Sequence, residues 1–353
     1  IGLSGPGYRV ADEMGLLPAL RGVARDIGEN VFRDRQGREI MRLHYHDLLR
    51  GFEWLTLART ELVATLHAAA APHCSLRFAT SLRDMQQDDS GVVVTLDDGS
   101  SIEVDLLIGA DGARSDLRRV LFGEDGAAAE PLGYRAAAFQ VPDRLGLGVD
   151  FLSYAEPGRF AETYTLREGW LATLYLWRSA DAGFVAAPRR RAVLREAFAG
   201  AHPHALQWID DLPEGDPLYL DALTMVTLPR WCCGRVMLLG DAAHCLTLVS
   251  GQGAGMAMIS ARMLARALAQ AESVPTALAL HENWLRPAVN ALQAHSRRTA
   301  GWFVPASPLA FHLRNTVMRW MPKALLARRF LRAVRSEQLL ALETIAAAER
   351  PAA

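Results

Sequence analysis

The pattern with the most chemical content is a predicted strand that ends in an acid and leads into a glycine-rich helix start. The apolar run Val236–Leu239 is followed by Gly240-Asp241-Ala-Ala-His244, and glycines recur at every second position from Gly251 to Gly255. We expect the strand to carry Asp241 to the carboxyl edge of a parallel sheet, where open α/β folds bind ligands. A carboxylate there suits the hydroxyl groups of a polyol. Glycines before a helix let backbone N–H groups approach a ligand, and the helix dipole favours an anion.

A second strand-to-helix turn and a helix start are two further candidates. The apolar run Leu106–Ala110 ends in Asp111-Gly112, and a helix is predicted over Asp116–Leu121, with Ser115 and Asp116 as candidate caps. Arg59 begins another predicted helix, Arg59–Ala70. Taken alone, Asp-Gly is a common turn and an arginine at a helix start is a common surface residue, so both interpretations stay open at this point.

The elements around these motifs alternate between two periodicities. A period of two over residues 75–104, beginning with Leu76, Phe78 and Thr80, predicts strands, and Asp98-Gly99 between two such runs predicts a hairpin. The same period predicts an antiparallel sheet with strands Tyr134–Val141, Val149–Tyr154, Phe160–Leu166, Trp170–Trp177 and Leu218–Val226, interrupted by the helix Pro188–Phe198. From Gly251 onwards the pattern is helical. The sequence therefore predicts an α/β protein whose α/β domain is interrupted by a sheet.

The composition excludes several classes of protein. A chain of 353 residues that is 50% hydrophobic and 22% charged is typical of a folded protein with one or two domains. The 38 basic residues are balanced by 39 acidic ones, so the net charge of −1 does not favour a nucleic-acid partner. The four cysteines form no C-x-x-C pair, so we expect neither a metal site nor a disulfide framework. No uncharged apolar run reaches about 18 residues. We therefore expect no stable membrane insertion, and a cytoplasmic location.

These motifs together resemble those of the group A flavoprotein monooxygenases. This family of FAD-dependent aromatic hydroxylases includes para-hydroxybenzoate hydroxylase and the tetracycline-inactivating monooxygenases. Gly109-Ala-Asp111-Gly112-Ala-Arg114-Ser115 is similar to the family's D-G motif, and Gly240-Asp241 with the run Gly251–Gly255 is similar to its G-D motif. Arg59-Thr-Glu-Leu62 is similar to its R-x-x-L helix start. The resemblance covers essentially the whole chain.

The resemblance implies a Rossmann-like FAD-binding domain that is discontinuous, with an inserted antiparallel-sheet substrate domain and a C-terminal helical tail. Residues 1–132 form the first part of the FAD-binding domain, 133–228 the substrate domain, 229–300 the second part of the FAD-binding domain, and 301–353 the C-terminal helices. The family's G-x-G-x-x-G segment does not occur in this sequence. It belongs to a β-α-β hairpin of roughly 30 residues, which we expect to precede Ile1.

The resemblance also assigns contacts with FAD. Asp241 is expected to bind the flavin ribitol, and Gly251, Gln252, Gly253 and Ala254 are expected beside the isoalloxazine ring. Asp111 is expected near the pyrophosphate, Arg59 at the flavin, and the backbone near Leu82 at the adenine.

The activity implied is hydroxylation of an aromatic, phenolic or polycyclic small molecule. NADPH or NADH is expected to reduce FAD, and a C4a-hydroperoxyflavin formed with O₂ then transfers one oxygen atom to the substrate. The expected setting is bacterial, in secondary metabolism or degradation, with the protein a monomer or dimer. Two alternatives stay open: a flavin reductase or oxidase of the same fold that transfers no oxygen, and a non-catalytic protein that binds an aromatic ligand.

Substrate contacts are expected from the aromatic residues of the sheet, namely Tyr134, Tyr154, Tyr164 and Tyr175. No protein nucleophile is expected, because the cofactor carries the oxygen-transfer chemistry. A base that deprotonates the substrate would assist it. The candidates are His44, His46 and His244, each of which also suits an ordinary structural role.

Overall fold

The computed structural model of the protein describes residues 1–48, 52–126, 129–146, 150–166, 169–246, 253–303, 305 and 307–320. Its strands are β1 Gly2–Ser4, β2 Glu29–Arg33, β3 Glu39–His44, β4 Trp54–Thr56, β5 Leu82–Gln87, β6 Val92–Leu96, β7 Ser101–Val104, β8 Leu107–Gly109, β9 Glu130–Pro142, β10 Phe151–Glu156, β11 Arg159–Thr165, β12 Trp170–Arg178, β13 Tyr219–Met225, β14 Cys232–Cys233 and β15 Val236–Leu238. Its helices are α1 Gly5–Glu13, α2 Leu17–Val23, α3 Tyr45–Leu48, α4 Arg59–Ala70, α5 Asp116–Gly126, α6 Ala187–Ala197, α7 Pro203–Asp210, α8 Asp241–His244, α9 Gly253–Gln270, α10 Val274–Phe303 and α11 Pro308–Trp320. None of the helices in these ranges is both long and apolar enough to cross a membrane.

The two apolar runs that precede the acidic turns form neighbouring parallel strands. Val236 of β15 pairs with Leu107 of β8, and β14 pairs antiparallel on the other side of β15. All three residues of β15 are fully buried, as a continuous apolar run predicts for a strand covered on both faces. Because β8 and β15 run in the same direction, their carboxyl ends lie at one edge, which brings the two acidic turns together.

Helix α9 packs against α1 through two glycines. A β-carbon on Gly7 would lie only 2.7 Å from the Cα atom of Gly255, and one on Gly255 would lie 3.7 Å from the Cα atom of Gly7. Backbone cannot yield as a flexible side chain does, so the approach of these helices requires a residue without a side chain at position 7. The N-terminal helix thereby supports the helix that follows the G-D motif.

The hairpin predicted at Asp98-Gly99 is present between β6 and β7, and β5 adds a third antiparallel strand. The prediction of strand structure for Leu76, Phe78 and Thr80 is wrong. These residues lie in the irregular segment between α4 and β5, with Phe78 76% exposed. Leu76 is also exposed, and Phe78 contacts the ring of His67 on α4, so the alternation does not correspond to a buried face of a sheet. The first strand of this sheet begins at Leu82.

The largest sheet has seven strands in the order β13-β9-β12-β11-β10-β2-β3. Its pairs are antiparallel except for β2 and β10, which run parallel. Strands β2 and β3 therefore belong to this sheet, although they come from residues 1–132, the segment that the sequence assigns to the FAD-binding domain. The reason is that β2 and β10 pair across a long stretch of chain, and local periodicity carries no information about such a pairing.

The two faces of this sheet differ in what covers them. Helices α6 and α7 cover one face and form a core with it that includes Tyr154, Tyr175 and Trp208. Successive side chains of a strand alternate between faces, so Phe160, Glu162 and Tyr164 of β11 lie on the opposite face. This opposite face is called the open face below.

Candidate functional site

A turn at Gly240 places Asp241 at the carboxyl end of β15. The φ angle of Gly240 is +63°, a conformation that L side chains rarely adopt, and it lets β15 pass directly into α8. A β-carbon on Gly240 would also come within 3.4 Å of the Cβ atom of Ala257 on α9. That distance is an ordinary van der Waals contact, so it is the turn that requires the glycine of the G-D motif.

Asp241 faces the beginning of α9. Its Oδ1 atom lies 3.7 Å from the point where a β-carbon of Gly253 would be, so the two halves of the motif meet in space. Ala254, which is exposed, follows in the first turn of this 18-residue helix, whose first backbone N–H groups have no partner within the helix. Gly251 and Gln252 lie outside the described residues.

Three ionisable side chains converge at this point. Burial raises the pKa of the Asp241 carboxyl, while the positive charge of Arg59 and a hydrogen bond from the Cys245 thiol lower it. Burial likewise raises the pKa of the Tyr219 phenol, which interacts with both Asp241 and Arg59. Arg59 is the first residue of α4 and is exposed. The site thus combines an acceptor carboxylate, a guanidinium, a phenol and a helix N-terminus.

Asp111 stabilises the start of α5. Its Oδ2 atom accepts a hydrogen bond from the backbone N–H of Leu117 at 3.1 Å. The predicted cap at Ser115 is also present, because Ser115 Oγ accepts from the backbone N–H of Arg118 at 2.9 Å. Asp111 is exposed, so its carboxylate is accessible in addition to being a helix cap.

Arg118 joins the two motifs, and the sequence analysis did not identify it. The side chain is buried, and it donates hydrogen bonds to the carbonyl of Ala113 at 2.6 Å and to the carbonyl of Ala242 at 3.0 Å. Burial lowers the pKa of its guanidinium. An arginine within the apolar residues of a short helix was the available signal. Arg118 holds the turn after β8 against the turn after β15.

A second arginine links the D-G motif to the seven-stranded sheet. Arg114 Nε donates to Asp221 Oδ2 at 2.7 Å, and its terminal nitrogen donates to Oδ1, which makes a two-point ion pair. Asp221 lies on β13, the strand that also carries Tyr219. The sheet and the parallel strands are therefore joined beside the site.

Leu82 occupies a different part of the domain. It begins β5, pairs with Leu96 of β6, and packs half-buried against the core of the parallel strands. The contact of the backbone near Leu82 with the adenine of FAD remains a prediction.

The four tyrosines expected at the substrate lie on two different faces. Tyr154 and Tyr175 are on the helix-covered face, where the phenol of Tyr175 donates to the carbonyl of Ala205 and that of Tyr154 bonds His204 Nδ1. Tyr134 is buried on the open face against Leu176 and Leu223. Tyr164, half-buried, also lies on the open face.

None of the three histidines is directed at Asp241. The ring of His244 is buried between Trp231 and Ser260, and burial lowers its pKa to about 4, so it is a neutral core residue. His44 and His46 are exposed, with ring nitrogens 3.9 Å from Glu29 and 3.7 Å from Asp26.

The residues at this edge fit the flavin–ribitol half of FAD. The carboxylate of Asp241 suits a ribitol hydroxyl. The bare backbone at Gly253 leaves room for a ring at the start of α9, and Arg59 supplies positive charge for an electron-rich ring edge.

Known proteins are similar to this chain over most of its length. A family described as an FAD binding domain matches residues 9–283. An uncharacterized protein of Mycobacterium tuberculosis is 31% identical over 278 residues, which are 75% of this chain and 73% of that protein. The 6-hydroxynicotinate 3-monooxygenase of Bordetella bronchiseptica is 34% identical over 250 residues, 67% of this chain and 64% of that enzyme. Among solved structures, Klebsiella pneumoniae HpxO complexed with FAD and uric acid superimposes with a TM-score of 0.79 at 23% identity, covering 96% of this chain and 87% of that one. That likeness concerns the fold alone.

Proposed function

Because the chain belongs to the FAD-binding family of group A flavoprotein hydroxylases, we propose that it hydroxylates a planar aromatic or phenolic small molecule with NAD(P)H and O₂. In the balanced reaction, a ring C–H, O₂, NAD(P)H and H⁺ give a ring C–OH, NAD(P)⁺ and water. FAD supplies the redox and oxygen chemistry when bound. The residues of the chain bind and orient the cofactor and the substrate and exclude water.

The observation that carries the proposal is the meeting of Asp241, Gly253 and Arg59. The carboxylate of Asp241 would accept hydrogen bonds from the ribitol, and the backbone N–H groups of Gly253 and Ala254 at the start of α9 would bind the electron-rich edge of the flavin. Arg59 adds positive charge to the same region. An edge of this kind stabilises a ring that becomes negative on reduction.

The other cofactor contacts complete the proposal. We propose that Gly251 and Gln252, which lie outside the described residues, contact the isoalloxazine ring, that Asp111 binds at the pyrophosphate side, and that the backbone near Leu82 contacts the adenine. These assignments rest on the match of the chain's two motifs to those of the family.

The substrate is proposed to lie on the open face, between the sheet and Asp241. Tyr164 and Tyr219 are exposed enough to contact a ring there, and Tyr134 supports that face from within. We do not propose Tyr154 and Tyr175 as substrate contacts, because their hydroxyl groups form hydrogen bonds on the helix-covered face. The named substrate of the Bordetella relative and the uric acid bound by HpxO support a planar heteroaromatic or phenolic ring.

Turnover under isotopically labelled oxygen tests the proposal. The FAD-loaded protein is incubated with NADH or NADPH, ¹⁸O₂ and a panel of phenols and hydroxylated heteroaromatic compounds. We expect at least one compound to accelerate NAD(P)H oxidation and to yield a product that carries one ¹⁸O atom. NAD(P)H consumption that yields only hydrogen peroxide with every compound would indicate a reductase or oxidase. Failure to retain FAD, together with binding of an aromatic compound, would favour a non-catalytic protein that binds an aromatic ligand.

A further inference from the structure

A row of polar side chains crosses three strands of the open face. Asn30 lies on β2, Ser153 on β10 and Glu162 on β11, and Ser153 is directly opposite Glu162. Ser153 Oγ donates to Asn30 Oδ1 at 3.0 Å and lies 3.5 Å from Glu162 Oε2. A carboxylate has two oxygens with about four acceptor sites, of which the single Ser153 hydroxyl can fill at most one. The carboxylate of Glu162 therefore keeps acceptor capacity that Ser153 does not fill.

Two pairs of aromatic rings border this polar row. Phe151 and Tyr164 stack with their ring centroids 5.3 Å apart at one end, and Phe32 and Phe160 stack at 6.3 Å at the other. All four side chains are half-buried. A polar group between two ring stacks suits a flat ligand that has apolar faces and one hydrogen-bonding edge.

The row lies on the side of the sheet that faces the proposed flavin site. Tyr219 of β13 is paired with Ala138, next to Ala137 of the helix-covered core, so it lies on the open face, and it interacts with Asp241 and Arg59. The face that carries Glu162 therefore also carries a side chain of the proposed flavin site.

Two phenols from neighbouring positions face Glu162. Tyr45 of α3 and Tyr164 of β11 each interact with it, and Arg25 acts on Tyr164. Burial raises the pKa of Glu162 to about 7 and the pKa values of Tyr45 and Tyr164 to about 12. Near neutral pH the carboxyl of Glu162 thus changes its charge, while both tyrosines stay neutral.

We propose that Glu162 binds the acidic O–H or N–H group of a neutral planar ring and takes its proton, and that it rejects rings bearing a carboxylate. The inference rests on the proposed function and specifies the substrate class of that site. In the step, the ring O–H bond breaks, its electron pair stays on the ring oxygen, and a new O–H bond forms on the Glu162 carboxylate. The ring becomes richer in electrons and reacts more readily with electrophilic oxygen.

Ligand binding without turnover tests this assignment. The FAD-loaded protein is dialysed at pH 8 against three fluorescent probes of matched shape: 2-naphthol, 2-methoxynaphthalene and 2-naphthoate. We expect 2-naphthol to bind about tenfold or more tightly than its methyl ether, as a hydrogen bond to a charged acceptor predicts, and 2-naphthoate to bind most weakly. Glu162→Gln is compared with Glu103→Gln, which changes an exposed glutamate on β7.

The assignment predicts shifts of opposite sign in Glu162→Gln. Its affinity for 2-naphthol falls several-fold, its affinity for 2-naphthoate rises, and its affinity for the methyl ether stays unchanged, whereas Glu103→Gln behaves like the wild type. In the wild type, the preference for 2-naphthol declines as the pH falls from 8 to 5.5. The assignment would be overturned if the wild type bound 2-naphthol no more tightly than its methyl ether. It would also be overturned if Glu162→Gln lost affinity equally for all three probes. The binding experiment measures no turnover. Its result therefore tests the role of Glu162 even if the ¹⁸O₂ experiment detects no oxygen transfer.

Discussion

The Oδ1 atom of Asp241 lies 3.7 Å from the point where Gly253 would carry a β-carbon. An acceptor carboxylate and the positive end of a helix therefore share one small space, with Arg59 adding positive charge. This combination binds a hydroxyl group and an electron-rich ring next to each other, which is what the ribitol and isoalloxazine of FAD present.

Replacement of Asp241 should weaken FAD binding. In Asp241→Ala the ribitol loses a charged acceptor, so we expect affinity for FAD to fall about 10- to 100-fold, corresponding to roughly 1.5–3 kcal/mol. Titration of the apoprotein with FAD, followed by flavin fluorescence, measures the change. Asp216→Ala, at an exposed position of a loop, is the matched control and should bind FAD normally. Equal affinities in the two variants would remove Asp241 from the cofactor site.

The contact between α1 and α9 should not tolerate a methyl group. In Gly7→Ala the new β-carbon would lie 2.7 Å from the Cα atom of Gly255, so the helices must separate, at a cost of about 1–3 kcal/mol of the free energy of unfolding. The matched control is Gly22→Ala in helix α2, where a β-carbon would meet nothing within 4 Å. It should be neutral or stabilising by about 0.5–1 kcal/mol. Urea unfolding of both variants checks the difference, and similar stabilities would contradict the close helix contact.

Loss of the Arg118 side chain should destabilise the protein far more than loss of its neighbour. Arg118→Met keeps the apolar stem but leaves the carbonyls of Ala113 and Ala242 without these donors, which we expect to cost about 2–4 kcal/mol. Arg119→Met, at an exposed position paired with Asp116, should change stability by no more than about 0.5 kcal/mol. Thermal unfolding compares the two. A small effect of Arg118→Met would show that the two turns hold together without the buried guanidinium.

Glu162 should make the protein less stable as the pH rises. Its pKa is about 7 in the folded state, against 4.5 as the ordinary value. Between these pH values the folded state holds a proton that the unfolded state has lost, so stability falls as the pH increases through this window. Glu162→Gln should therefore be more stable than the wild type at pH 8, by at most about 3 kcal/mol, and nearly equal near pH 4.5.

Urea unfolding of the wild type and Glu162→Gln at pH 5 and pH 8 measures this dependence. Glu103→Gln serves as the control, since its exposed side chain should leave the pH dependence unchanged. Parallel stability curves for the wild type and Glu162→Gln would mean that Glu162 titrates normally.

The sequence by itself determined the parts of the protein that depend on neighbouring residues in the chain. The strand, the Gly240 turn and Asp241 are consecutive, and the hairpin at Asp98-Gly99 needs only its own turn residues and flanking strands. Such local patterns also predicted the family and the α/β fold class, and the similar proteins confirm both predictions. Helix α4 begins and ends at the predicted residues for the same reason.

Only the tertiary structure decided which side chains share a face and which faces are covered. A period of two shows that Tyr154, Tyr164 and Tyr175 alternate between faces, but it does not show which face α6 and α7 will cover. The parallel pairing of β2 with β10 brings Asn30 beside Ser153 and Glu162 from distant parts of the chain. Arg118 likewise acquires its role from carbonyls in two separate turns. These relationships are non-local, because packing and strand order set them, and no stretch of adjacent residues encodes them alone.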